Sequence, residues 1–211
     1  MNRKISRALF SGVAGLVFAT SVAAQEAPFH AWNFNMAGGY TVPAGSTGDR
    51  LEGSGNVTVG GGYNFNPTLG IVGEFAYNAL GVSGTTLSSL NVPDGNAHIW
   101  SLTANPTVRF HLGHKLGAYA IGGGGLYQRK LEFTSATTAT VFNPIFGNIN
   151  VPADQVLGSV TSTVGGLDAG GGFTYSLGES GAKLYVESRY NHAFTSGHGT
   201  DYVPVTIGIR W

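Results

Sequence analysis

The sequence predicts an all-β protein, an eight-stranded antiparallel transmembrane β-barrel, and three observations carry this prediction. Along eight segments, apolar side chains alternate with small or polar ones, as in strands that face lipid on one side only. Only 10% of the residues are charged, against roughly a quarter in soluble domains. After the N-terminal region, no apolar run reaches the roughly 20 residues of a membrane helix. Strands in lipid must close into a barrel, because every backbone group there needs a partner.

The first 24 residues have the layout of a secretory signal peptide. The basic residues Arg3, Lys4 and Arg7 precede an apolar run that ends in small residues before Gln25. This pattern predicts cleavage after Ala24, with the barrel domain over residues 25–211. The alternative, a membrane anchor, is disfavoured because the apolar run is shorter than a spanning helix.

Charge and cysteine content exclude two classes of protein. Removal of residues 1–24 leaves eight basic and eleven acidic residues, a net charge of −3 with histidine neutral. Nucleic acid is therefore not an expected partner, because the chain has no basic patch to displace counterions. The chain has no cysteine, so stability must come from something other than disulfides.

The strands are assigned in order from the alternation. In the first segment, for example, Trp32 and Phe34 lie on one face and Asn33 and Asn35 on the other. The fifth segment is ambiguous because glycines occupy both of its faces. An even number of strands lets the first pair with the last. The eight segments cover residues 31–42, 56–65, 69–79, 98–110, 116–127, 163–175, 183–194 and 201–211.

The connections predict the orientation. Short links ("NPT", "HLGHK" and "SLGESGA") alternate with longer ones at about 43–55, 80–96, 129–161 and 195–201. Bacterial barrels have short periplasmic turns and longer outer loops, so both termini are expected to be periplasmic. The link 129–161 is unusually apolar and contains Phe142, Ile145 and Phe146. It either extends the strands beyond the membrane or folds over the mouth, and it is a candidate contact surface for a ligand or partner.

Aromatic residues support a membrane barrel over a soluble one. A lipocalin-like barrel also has eight strands, but its outer face would carry charges, whereas the polar faces here are mostly Gly, Ala, Ser, Thr and Asn. Aromatic residues are expected in two girdles at the membrane surfaces. The periplasmic girdle is assigned Phe65, Phe110, Tyr119, Tyr175 and Trp211, and the outer girdle Tyr40, Trp100, Tyr127 and Tyr190.

The last two segments resemble a known family. The stretches "LYVESRYNHAF" and "YVPVTIGIRW" are similar to the last hairpin of small, porin-like bacterial outer-membrane barrels, the group that includes outer membrane protein A-like barrels. The resemblance implies a monomer in contact with outer-membrane lipid. It also implies that the barrel assembly machinery reads the terminal aromatic residue, here Trp211, although most members end in Phe. Alternatively, Trp211 is only a girdle residue, and both roles are compatible.

Six charged residues point inward on the predicted strands: Glu74, Arg109, Asp168, Glu187, Arg189 and Arg210. Buried charges must be paired, so these residues are expected to form a neutral network across the lumen. One interpretation is a gate or narrow polar pore. The favoured interpretation is a structural plug, because an eight-stranded barrel has just enough interior for its own side chains.

The sequence gives little support for a phosphate-binding, catalytic or metal-binding site. The glycine runs do not open a helix after a strand, so they are not phosphate loops. Near the outer rim, His192, His198, Ser196 and Asp201 are close in sequence, but the His-x-Ser spacing of lipid A deacylases is absent. His111 and His114 lack a third metal ligand. No catalytic residue, metal or cofactor is therefore expected. The predicted function is structural or surface interaction, with a narrow passive pore and a lipid-modifying enzyme as alternatives and the outer ligand or partner open.

Overall fold

The computed structural model describes residues 30–178, 181–195 and 199–211, without the side chains at 136, 138–139, 143 and 150–154. The predicted signal peptide, residues 1–24, lies outside the described residues. Eight long strands form the barrel: β1 Trp32–Ala44, β2 Ser54–Asn64, β3 Leu69–Val82, β4 Asp94–His111, β5 Leu116–Asn143, β6 Gly147–Ser176, β7 Lys183–Ala193 and β8 Thr200–Arg210.

Smaller elements occupy the longer connections. A single 3-10 turn, Gly45–Thr47, and a two-residue strand, Leu51–Glu52, lie between β1 and β2, and helix α1, Gly84–Leu90, lies between β3 and β4. Within the described ranges, no helix is long and apolar enough to cross a membrane.

The sheet is antiparallel and closes on itself. Each long strand pairs with the next in sequence, and β1 pairs with β8 from Asn35 opposite Arg210 to Ala44 opposite Asp201. Closure leaves no strand edge within the barrel wall, as a bilayer requires. The predicted fold class, including the pairing of the first strand with the last, is confirmed.

Alternation divides the side chains between lumen and outer surface. On β1, Asn33 and Asn35 are buried, whereas Trp32 and Phe34 are 67% and 51% exposed. Successive side chains on a strand point to opposite faces, and the other strands repeat the pattern. The outer surface is therefore largely apolar, and most of the buried polar side chains in the lumen are asparagine, threonine and charged residues.

Strand β5 corrects part of the girdle prediction. Tyr119 and Tyr127 were assigned to the girdles, but they point into the lumen and are only 4% and 1% exposed. Four consecutive glycines, residues 122–125, lie between them, so the apolar pattern of this strand did not distinguish its faces. The assignment of these two tyrosines was therefore wrong.

The two ends of the barrel differ. The connections at 65–68, 112–115 and 177–182 lie at the end of the barrel where β1 begins and β8 ends, which we call the turn end. The connections between β1 and β2, β3 and β4, β5 and β6, and β7 and β8 lie at the opposite end, the loop end. The connections lie at alternate ends in the predicted order. Their lengths follow the prediction only in part, because β5 and β6 are joined over residues 144–146 and the link between β7 and β8, residues 194–199, is no longer than that at 177–182.

The long link 129–161 is a β-hairpin. Strands β5 and β6 stay paired from Leu116 opposite Tyr175 to Asn143 opposite Gly147, with one irregularity between Phe133 and Thr134. The run "TTATVF" contains three threonines, a valine and a phenylalanine, which favour extended backbone. Gly147 has a φ of 75°, which glycine adopts readily at a turn. Of the two interpretations of this link, the structure shows strand extension.

Apolar side chains fill the lumen at the loop end. We call this group the apolar cap, and Leu87 of α1 packs against it. Its buried members are Leu51, Leu80, Val82, Ala97, Ile99, Tyr127, Ala193 and Tyr202. The cap is not apparent from the sequence, because its members come from β3, β4, β5, β7, β8 and the short strand Leu51–Glu52.

Candidate functional site: the charged lumen

Four charged side chains meet in the middle of the lumen. Arg189 on β7 donates through Nη2 to Glu74 on β3 and through Nε to Glu187 at 2.5 Å. Its Nη1 lies 3.7 Å from Oδ1 of Asp168 on β6. The side chains are between 1% and 9% exposed. We call these four residues the Arg189 cluster.

Uncharged donors complete the hydrogen bonding of the three carboxylates. These bonds run from Asn35 to Glu74 (2.9 Å), from Tyr119 to Glu187 (2.7 Å) and from Tyr127 to Asp168 (3.3 Å). In the amide orientation that satisfies its neighbours, Asn105 accepts from Arg189 and donates to Asp168, both at 3.1 Å. Buried charges are tolerated when they are paired and hydrogen-bonded, and this arrangement meets both conditions.

The structure divides the six predicted lumen charges into two groups. Four form the Arg189 cluster, whereas Arg109 and Arg210 lie nearer the turn end and, among the described residues, make no ion pair with an acid. The Arg210 guanidinium carbon lies 4.8 Å from the ring centre of Tyr119 and 5.0 Å from that of Tyr185. Because the Tyr119 hydroxyl binds Glu187, this ring stands between Arg210 and the cluster. The expectation of one neutral six-residue network is corrected accordingly.

A glycine provides space beside the Arg189 cluster. A Cβ added at Gly60 would lie 2.6 Å from Glu74 Cγ and 2.9 Å from the Gly73 carbonyl oxygen. At the next residue, Gly61, an added Cβ would lie 3.5 Å from the Phe34 ring, an ordinary contact. The "GGGY" run therefore has a packing role on its lumen face.

We expect Gly60→Ala to destabilise the refolded barrel by about 1 to 3 kcal/mol, the typical cost of overpacking. Gly61→Ala, its outward-facing neighbour, is the matched control and should change stability by less than about 0.5 kcal/mol. Urea unfolding in lipid vesicles measures both. Equal losses in the two variants would show that crowding of Glu74 is not the cause.

Comparison with known proteins identifies the family. Residues 11–210 match the family described as outer membrane protein beta-barrel domain. The chain belongs to this family. A comparison with curated proteins found no match.

Solved structures support the same fold for this outer-membrane barrel. Neisserial surface protein A has a TM-score of 0.57 at 13% identity, covering 86% of this chain and 96% of its own. A major outer membrane protein from Thermus thermophilus has a TM-score of 0.53 at 12% identity, covering 86% and 99%. The predicted resemblance and the location in the bacterial outer membrane are confirmed.

The outer-membrane barrel holds a His–Asp pair at its loop end. His192 Nδ1 lies 2.6 Å from Asp201 Oδ1, and the Tyr190 hydroxyl donates to the same oxygen at 2.6 Å. Ser196 and His198, the other residues of this predicted constellation, lie outside the described residues. The described contacts thus orient an imidazole without placing a nucleophile beside it.

Three other residues singled out in the sequence, His111, His114 and Trp211, are exposed. His111 ends β4 and His114 lies in the turn that follows, both exposed. In the described part of the chain, no three His, Cys, Asp or Glu side chains come together as a metal site. Trp211 is 54% exposed, and its backbone N–H and C=O both hydrogen-bond to Phe34, at 3.0 and 2.8 Å.

Sequence reasoning missed several residues of the lumen. Tyr119, Tyr127 and Asn105 bind the carboxylates of the Arg189 cluster, but none of them was a predicted site residue. Asn105 follows the alternation of β4, so its position in the lumen could be predicted from the sequence. Lys183 also belongs to the inward-facing set of β7, and this alternation would have located it.

Proposed function

We propose that this outer-membrane barrel is a non-enzymatic surface-interaction protein that makes contact through the end of its long hairpin. The hairpin formed by β5 and β6 supports the proposal, because it extends well beyond the other strands. Strand β4 pairs with β5 only as far as Thr134, and β7 pairs with β6 only from Gly166 onward. From Thr134 to Asn143, ten residues of extended strand span about 30 Å. We call the outer part of this hairpin, residues 134–157, the ribbon.

The tip of the ribbon is the observation that carries the proposal. Phe142, Ile145 and Phe146 are 72%, 81% and 76% exposed. No charged residue occurs between Glu132 and Asp154. Apolar groups concentrated on a projecting surface are typical of interaction sites. In the proposed orientation, with the termini periplasmic, the tip faces the cell exterior.

Two features of the lumen argue against the alternative of a passive pore. The apolar cap fills the loop end, and the Arg189 cluster occupies the middle. The space beside Arg189, lined also by Ser101 and Tyr202, measures about 30 Å³, room for about one or two water molecules. We therefore propose a plugged barrel and expect no steady ion conductance.

The test uses Gram-negative cells that display equal amounts of the barrel on their surface. In one variant, Asn-Gly replaces residues 134–157 and closes a two-residue turn between Phe133 and Gly158, which are opposite each other in the native register. In the second, Phe142, Ile145 and Phe146 are each changed to Ser. Attachment of the cells to epithelial monolayers and to one another is expected to fall several-fold in both variants.

A matched control tests whether attachment depends on the tip itself or on any exposed apolar side chains of the hairpin. Val156, Leu157 and Val160 lie lower on the hairpin and are 54% to 57% exposed. Changing these three to Ser should leave attachment near the wild-type value. Equal attachment by wild-type and tip-variant cells, or equal losses in tip and control variants, would contradict the proposal.

A further inference from the structure

The turn end of the lumen holds three positive charges. Arg109 on β4, Lys183 on β7 and Arg210 on β8 all point inward, and Lys183 is directly opposite Arg210 in the β7–β8 register. Like charges on directly opposite residues are destabilising. We call these three residues the basic cluster.

The basic cluster has no acidic partner among the described residues. None of its members makes an ion pair there, and the Arg109 guanidinium binds the neutral side chain of Asn64. The Arg189 cluster has the opposite imbalance, with three carboxylates and one guanidinium. The Tyr119 and Tyr185 rings lie against Arg210 on the side of that cluster. The lumen is thus charged in two layers of opposite sign.

Arg210 provides the second observation. It is 7% exposed, and its Nε and Nη2 atoms are buried without a hydrogen-bond acceptor. A buried charged donor without an acceptor is strongly unfavourable. The two tyrosine rings stabilise the cation through their faces, but they do not satisfy these N–H groups.

We propose that the basic cluster binds a small oxyanion of the phosphate or carboxylate class from the solvent at the turn end. A guanidinium presents parallel N–H donors that match two oxygens of such an anion. Arg109 and Lys183 are only half-buried, so an anion reaches them from solvent. An anion there supplies the negative charge that the described side chains lack. This site lies inside the barrel and is independent of the ribbon.

The experiment titrates refolded residues 25–211 with inorganic phosphate, by calorimetry at constant ionic strength in an uncharged alkyl-maltoside detergent. One saturable site is expected. Lys183→Gln and Arg210→Gln should each weaken binding by about tenfold, as expected for the loss of one charge-assisted interaction. Lys115→Gln is the matched control, because Lys115 is an exposed cation in a turn at the same end. This variant should bind phosphate like the wild type.

Several outcomes would overturn the proposal. Absence of saturable binding in the wild type is one, and equal weakening in the Lys183 and Lys115 variants is another, since it would indicate only nonspecific charge. Glu26 and Glu179 lie outside the described residues. Binding that appears only after Glu26→Gln or Glu179→Gln would show that the chain neutralises the cluster itself. Repeating the titration in phospholipid vesicles distinguishes free phosphate from lipid headgroups, which would saturate the site before phosphate is added.

Discussion

An Arg189→Ala barrel is expected to be about 3 to 5 kcal/mol less stable than the wild type, the usual cost of breaking a buried ion pair by removing one partner. The guanidinium binds Glu74 and Glu187 and lies 3.7 Å from Asp168. Its removal leaves three carboxylates together in the lumen without a positive partner. Urea unfolding of the refolded protein in lipid vesicles measures the loss.

Two further variants test whether the loss of stability in Arg189→Ala comes from the unpaired carboxylates. Arg50→Ala removes an exposed arginine of the β1–β2 connection whose described hydrogen bonds go to Ser46, and it should cost less than about 0.5 kcal/mol. Adding Glu74→Gln to Arg189→Ala removes one unpaired charge and should recover part of the stability. Strictly additive effects of the two substitutions would show that these residues do not interact.

Conductance on the same sample separates a plug from a gate. In a plugged barrel, Arg189→Ala lowers stability and leaves planar-bilayer conductance near zero, because the apolar cap still fills the loop end. In a gated pore, the substitution raises conductance and changes stability little. Unchanged stability and unchanged conductance would contradict the role of Arg189 in both interpretations.

Trp211→Ala is expected to reduce assembly of the barrel in cells several-fold, while it lowers the stability of refolded protein by only about 1 kcal/mol. The native contribution of the ring is modest because Trp211 is 54% exposed. The strand end is also held to Phe34 by backbone hydrogen bonds, which the substitution keeps. A signal read by the assembly machinery would act before these contacts form. The folded fraction in outer membranes and urea unfolding in vesicles measure the two effects.

Trp32→Ala is the control for the terminal position. Trp32 begins β1 at the same end of the barrel and is 67% exposed on the outer face. Its loss removes a comparable aromatic ring without changing the C-terminal residue. If Trp32→Ala and Trp211→Ala reduce assembly equally, then Trp211 is only a girdle residue.

Most of the barrel could be predicted from the sequence because alternation is a local property. On β1, β2, β3, β4, β6, β7 and β8, the larger apolar residues mark the lipid face. A register error of one residue would place charges such as Glu74 in lipid. The pattern therefore determined the strand number, the antiparallel order, the pairing of β1 with β8 and the inward direction of the six charges. Strand β5 is the exception, since the glycines at 122–125 carry no apolar side chain to mark a face.

The partners of the lumen charges required the tertiary structure. Alternation places Arg189 and Arg210 inside, but the closed sheet decides that Arg189 reaches Glu74, 115 residues away in sequence. It also decides that Arg210 lies against two tyrosine rings. The apolar cap and the length of the hairpin are decided in the same way, by register and pairing across several strands. The direction of a side chain follows from its own strand, whereas its contacts depend on strands distant in sequence, and only folding brings those strands together.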